Sequence, residues 1–193
     1  MADMELEKKY KAFYDNYFKD NKESFKALEQ GQAPETLFIT CSDSRILPNH
    51  LTNTKEGELF VIRNAGNLVP IYDTEDPQKE SITIEYAVQA LAVKRIIVCG
   101  HSHCGAMKAV QNPEALDGLP LLKRFITKRV KNYDHLDPKD FPALVKGNVS
   151  LQIDHLLGYP FIKEKVDKGE LILQGWVYHF EHGNVDVIEN QST

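Results

Sequence analysis

Apolar positions change their spacing several times along the chain, and each change marks an element. Leu6, Tyr10, Phe13, Tyr14, Tyr17 and Phe18 recur at steps of three and four, the pattern of a helix with one apolar face. A second short helix carrying Phe25 and Leu28 is predicted to end near Gly31. So aromatic a stripe must be buried, either on its own domain or as an arm across a second subunit. The pattern then shortens. Residues 36–41 (TLFITC), 58–63 (ELFVIR) and 95–99 (RIIVC) are β-rich runs, the last apolar enough to be covered on both faces. Between the second and third, Asp76-Pro77 sets up a helix start that Ile84, Ala87, Val88 and Leu91 continue.

Beyond Gly105 the spacing turns helical, over residues 119–133, 141–157 and 161–168 before Gly169. Residues 171–180 (LILQGWVYHF) form a last strand, and 181–184 read as a hairpin turn into 185–188. Strands separated by helices imply parallel pairing through right-handed crossovers. The expected fold is α/β: a mainly parallel sheet flanked by helices, with an N-terminal helical arm (1–30), a core (31–193) and a C-terminal antiparallel strand or hairpin. No repeat, low-complexity run or linker interrupts it, so 1–193 is expected to be one domain.

Composition narrows the classes. The 193 residues are 42% hydrophobic and 26% charged, with a net charge of −5, a balance typical of a folded domain and poor for binding nucleic acid. No run approaches a membrane span, and residues 1–11, rich in Asp, Glu and Lys, lack the apolar stretch of a signal peptide. A cytoplasmic location is therefore expected. Three cysteines do not make a disulfide framework, and in a reducing compartment they read as thiols or thiolate ligands.

The candidate chemistry sits where two predicted strands end. Cys41-Ser42-Asp43-Ser44-Arg45 follows the first, and Gly100-His101-Ser102-His103-Cys104-Gly105 follows the third. Open α/β sheets place their sites at the carboxyl ends of strands. His101 and Cys104 form a two-toothed claw in a tight turn, and Cys41 supplies a third tooth. Two thiolates and an imidazole suit zinc, and three strong ligands leave one position open, the count of a catalytic site. Cys99 reads as a small buried hydrophobe. Asp43 and Arg45 fall on one side of an extended segment. The carboxylate can orient a bound water or close the site as a fourth ligand, and the fork of Arg45 favours the first by holding it back. These residues point to zinc and leave the reaction open.

Cys-Ser-Asp-Ser-Arg followed some sixty residues later by Gly-His-Ser-x-Cys-Gly resembles the paired signature of the β-class carbonic anhydrases. The resemblance extends to Arg63-Asn64-Ala65-Gly66-Asn67-Leu68-Val69-Pro70, to Glu85-Tyr86-Ala87 and to Gly175-Trp176-Val177-Tyr178. It implies one zinc ion per subunit on Cys41, His101 and Cys104, with Asp43 and Arg45 as catalytic dyad and Asp43 a fourth ligand only in a closed state. It further implies substrate contacts from Gln32, the Gly105 amide, Phe60 and Tyr86, the two aromatics at least partly from a neighbouring subunit. The implied activity is reversible hydration of carbon dioxide to bicarbonate by hydroxide on the zinc, in a dimer or multiple of dimers. One branch of the family typically has tryptophan three residues before the first cysteine. Phe38 stands there, which places the chain in the plant-like branch with a site open at neutral pH. His103 and His179 depart from the family's usual residues, and His50, His103 and Tyr86 are candidates for carrying the proton away. Two alternatives share these residues: a carbonyl sulfide or carbon disulfide hydrolase, and a non-catalytic zinc- or bicarbonate-binding protein.

Overall fold

The structure, a computed structural model, describes residues 2–130 and 139–191. It divides into two units, the first ending at Ala33 and the second beginning at Pro34. In the first, α1 (Ala2–Phe13) widens into a π-helical stretch (Tyr14–Phe18), and α2 (Lys22–Leu28) follows. Phe25 gathers the aromatic stripe, its ring centroid 4.9 Å from Phe18 and 6.2 and 6.3 Å from Tyr17 and Phe13. Leu6 and Tyr10 remain 71% and 69% exposed.

The second unit is built on β1 (Thr36–Cys41), β2 (Leu59–Asn64), β3 (Arg95–His101), β4 (Ile172–His179) and β5 (Asn184–Gln191). They form one sheet in the order β2-β1-β3-β4-β5, parallel except for the antiparallel last pair. This is the expected α/β architecture with its C-terminal hairpin. After β1 the chain goes out to β2 on one side and returns to β3 on the other. The loops leaving β1 and β3 therefore diverge and open a crevice, the switch point where such sheets hold their sites.

Every residue of β1 is buried, because β1 is covered on both faces. On one face Leu37, Ile39, Ile96, Val98 and Leu173 pack in the main core with Val145, Val149 and Ile153 of the long helix α7 (Phe141–Leu157). On the other, Phe38, Ile97 and Cys99 meet Trp176 and Tyr178, with Phe38 edge-on to Trp176 at 6.1 Å. The remaining helices are α3 (Pro48–Thr52), α4 (Lys79–Glu85, continued by a π-turn at Tyr86–Ala90), α5 (Gly105–Gln111), α6 (Pro120–Arg129) and α8 (Pro160–Asp167).

Helix α4 starts at Lys79, later than Asp76-Pro77 suggested. Gln78, extended with ψ 155°, is its N-cap, and the residues before it are drawn into a turn in which Asp73 Oδ1 accepts from the amides of Glu75 and Asp76 at 2.8 and 3.2 Å. The helix predicted over 119–133 is α6, ending at Arg129. Its last predicted residues, 131–133, lie outside the described residues.

Candidate metal centre

Cys41 closes β1, His101 closes β3, and Cys104 is the N-cap of α5. Since Thr40 pairs with Cys99, the ends of the two neighbouring strands bring Cys41 beside the turn that carries the other two. Both sulfurs and a ring nitrogen lie within 4.8 Å of one another, and all three residues are buried. His101 Nδ1 is 2.8 Å from the Ser102 carbonyl, so it carries the proton and donates there. That leaves the Nε2 lone pair in the site, buried and without a hydrogen-bond partner.

The thiols titrate as a pair. Cys41 is held down to about 4, chiefly by a hydrogen bond from Cys104 and aided by the Gly66 amide, against the effect of burial. Cys104 is pushed far up, through that same bond to Cys41 and through burial. Ionising it would place a second charge beside the first in a dry site. One proton is thus shared between two sulfurs facing an orphaned imidazole nitrogen. A divalent cation with affinity for sulfur and nitrogen satisfies all three at once, so this donor set fits zinc.

Asp43 is gripped from three directions. Arg45 Nε donates to Oδ1 at 2.9 Å, Arg45 Nη2 to Oδ2 at 2.7 Å, and the Arg45 amide to Oδ1 at 3.0 Å. The Arg45 guanidinium holds the carboxyl well below the usual carboxylate range. Oδ2 stands 3.9 Å from His101 Nε2, placing the carboxylate against the ligand set. Arg45 in turn lies over the ring of Phe180 at 4.3 Å, and Phe180 meets His101 edge-on at 5.2 Å.

The other expected site residues are more scattered. Phe60 and Tyr86 pair with each other, centroids 6.0 Å apart, with Tyr86 about half exposed. Gly105 opens α5 directly after Cys104, with nothing within 4 Å of where a Cβ would sit. Gln32 is exposed and belongs to the N-terminal unit. Cys99 is fully buried and its thiol is pushed up to about 12 by burial. His103 adopts a left-handed conformation (φ 57°) and pairs with Glu181, which also accepts from Ser102 Oγ at 2.9 Å. His179 meets Asp186 at 3.0 Å across the β4–β5 pair. His50, in α3, lines a surface cleft with Arg45 and Tyr178.

Three residues at the centre had no role in the sequence reading. Gly66 donates its amide to Cys41 Sγ at 3.4 Å. Arg63 clamps the ligand loop, with Nε on the Cys41 carbonyl at 3.1 Å and Nη2 on that of Asp43 at 2.8 Å. Phe180 is the third. The first two lie in the segment 63–70 quoted above, but their partners are on the neighbouring strand β1 and the loop that leaves it, a pairing that sequence spacing does not signal. Among the described residues, no helix is long and apolar enough to cross a membrane.

A family model described as carbonic anhydrase matches residues 36–185. A carbonic anhydrase of the cyanobacterium Synechocystis sp. is 42% identical over 182 residues, covering 90% of this chain and 66% of its own length, so the chain spans about two thirds of that relative. The solved structure of the β-carbonic anhydrase CcaA superposes with a TM-score of 0.89 at 38% identity, over 98% of this chain and 96% of that one. One of two tetrameric β-carbonic anhydrases from the ascomycete Sordaria macrospora gives a TM-score of 0.72 at 28% identity, over 97% and 93%.

Proposed function

Because this chain belongs to the β-class carbonic anhydrase family, we propose that it interconverts carbon dioxide and bicarbonate at a zinc ion held by Cys41, His101 and Cys104. The observation that carries the reading is the convergence of two sulfurs and an unpaired imidazole nitrogen within 4.8 Å, beside a carboxylate locked by an arginine fork. Bound there, zinc supplies a Lewis acid that acidifies a water molecule, a property for which the zinc of carbonic anhydrases is the general example.

The chain's own residues do the rest. Asp43 accepts the hydrogen bond of the attacking water and so aims its lone pair at the substrate carbon. Arg45 keeps Asp43 ionised and occupies both its oxygens, which supports an open site of the plant-like kind. The Gly105 amide binds a substrate oxygen as charge grows on it. Phe60 and Tyr86 offer an apolar wall suited to a neutral, linear gas, completed by a second subunit. That arrangement needs a dimer or a multiple of dimers, and the tetrameric Sordaria macrospora enzymes support it. A cytoplasmic setting suits thiolate ligands that oxidation would destroy.

Metal content and stopped-flow carbon dioxide hydration, measured on wild type and Cys41→Ser, test the reading. We expect one zinc per chain and rapid hydration in wild type, with both lost in the variant. A zinc-free variant with full activity would end the proposal. Faster turnover of carbonyl sulfide or carbon disulfide than of carbon dioxide by the wild type would move it to the hydrolase reading.

A further inference from the structure

Helix α7 is apolar along most of its buried side, yet Asn148 and Gln152 on that side are wholly buried. Together with His155 and Tyr159 they follow at steps of four, three and four, one stripe along the helix and just past its end. All four end on the backbone of a single segment, residues 66–70. Asn148 Nδ2 donates to the Gly66 carbonyl at 3.0 Å, and Gln152 Oε1 accepts from the Val69 amide at 2.7 Å. His155 Nδ1 reaches the Val69 carbonyl at 2.8 Å, and the Tyr159 hydroxyl donates to the Pro70 carbonyl at 3.0 Å. Gln152 Nε2 also donates to Asn148 Oδ1 at 2.9 Å, fixing the orientation of the Asn148 amide.

A segment outside any helix or strand needs such partners to satisfy its buried backbone, and that need alone accounts for Val69 and Pro70. Gly66 is different. Its carbonyl is held by Asn148 while its amide donates to Cys41 Sγ at 3.4 Å. Its φ is +85°, and a Cβ there would come within 2.9 Å of Ala106 Cβ. Glycine alone fits this φ and this contact with α5. Its amide and carbonyl belong to the two peptide planes that meet at its Cα, and its torsional freedom would let the amide plane turn from the sulfur if the neighbouring plane were not held through its carbonyl. A hydrogen bond to a ligating thiolate fixes the sulfur's position and draws off some of the charge it gives the metal.

We propose that Asn148, braced by Gln152, is a positioning residue for the Cys41 thiolate: by holding the Gly66 carbonyl it keeps the Gly66 amide on the sulfur. This inference rests on the metal-site reading above. It concerns a side chain that touches neither metal nor substrate.

Cadmium-113, a spin-active substitute for zinc, tests it by NMR on the full-length protein. A scalar coupling between the Gly66 amide proton and the bound cadmium is expected in the wild type, transmitted through the N–H···S bond. In Asn148→Leu the coupling should vanish, and zinc affinity measured by chelator competition should fall about tenfold or more. Tyr159→Phe, which loses its bond at the far end of the stripe, should lower stability and leave coupling and affinity unchanged. If Asn148→Leu does not fold, Asn148→Ser carries the same comparison, since serine is too short to reach the carbonyl. Wild type that binds cadmium without the coupling overturns the proposal, as does a folded Asn148 variant with wild-type affinity. Wild type that takes up neither metal defeats the metal-site reading instead.

Discussion

Two nitrogens of the Arg45 guanidinium take both oxygens of Asp43, leaving the carboxylate ionised and turned toward the ligand set with little freedom to rotate. A fork of fixed planar geometry does this, and an amide cannot. Arg45→Gln is therefore expected to retain zinc and to lose about 100-fold in hydration rate, the scale of losing one preorganised polar contact. Stopped-flow assays paired with metal analysis would read it. The pH dependence has a definite sign. The folded-state pKa of Asp43 is depressed, so its ion pair adds stability above about pH 4, the ordinary carboxylate value, and that contribution is lost as pH falls. The stability gap between wild type and Arg45→Gln should hold steady above pH 5 and narrow below 4. The Cys41, His101 and Cys104 cluster and the Asp43–Arg45 pair were legible in the sequence because their residue types stand out at the ends of β1 and β3. Gly66 and Arg63 were not, because each meets Cys41 through a backbone group, the Gly66 amide or the Cys41 carbonyl, which residue type does not announce.

At the scale of elements, the packing of α7 on β3 sets the tightest tolerance near the centre. Gly100, next to His101, would place a Cβ 2.7 Å from Val149 Cγ2 and 3.4 Å from Val145 Cγ1. A β-branched neighbour on a packed helix cannot step aside cheaply. Gly100→Ala should cost about 1–3 kcal/mol in urea unfolding, and adding Val149→Ala should return part of it. The contact of α7 with the segment after β2 also carries a pH dependence. His155 is largely buried, and burial lowers its pKa. Below about pH 6.5 the unfolded chain takes up a proton that the fold resists, so this stabilisation is present above that pH and lost as pH falls through it. Wild type should lose more stability between pH 7.5 and 5.5 than His155→Gln, by chemical denaturation at each pH. The sequence marked a helix over residues 141–157 and gave its buried polar residues no role. What they touch it did not show.

For the whole molecule, the Cys41, His101 and Cys104 cluster joins β1 to the turn after β3, the two directions in which the chain departs from the centre of the sheet. Removing the metal should loosen that junction. Binding at 100 to 1,000 times Kd adds about 2.7–4.1 kcal/mol, which in a chain of this size corresponds to about 5–15 °C in Tm. Calorimetry of zinc-loaded and chelator-treated protein should show that difference, and equal midpoints would mean the site is not part of the folded framework. Local sequence alone determined the five strands, the longer helices α6, α7 and α8, the C-terminal hairpin and the turns carrying Cys41, His101 and Cys104, because periodicity and turn residues act over a few positions. The short helices α3 and α5 lay below that signal. The start of α4 escaped it, since Gln78 and not Asp76 is the extended residue at which the helix begins. Only the tertiary structure decided that strands 36–41 and 95–101 are neighbours, that Arg63 and Gly66 close on Cys41, and that Asn148 of α7 holds Gly66. Those contacts span tens of residues, and they form because a twisted sheet buries both faces of its central strands, a constraint no short window of sequence contains.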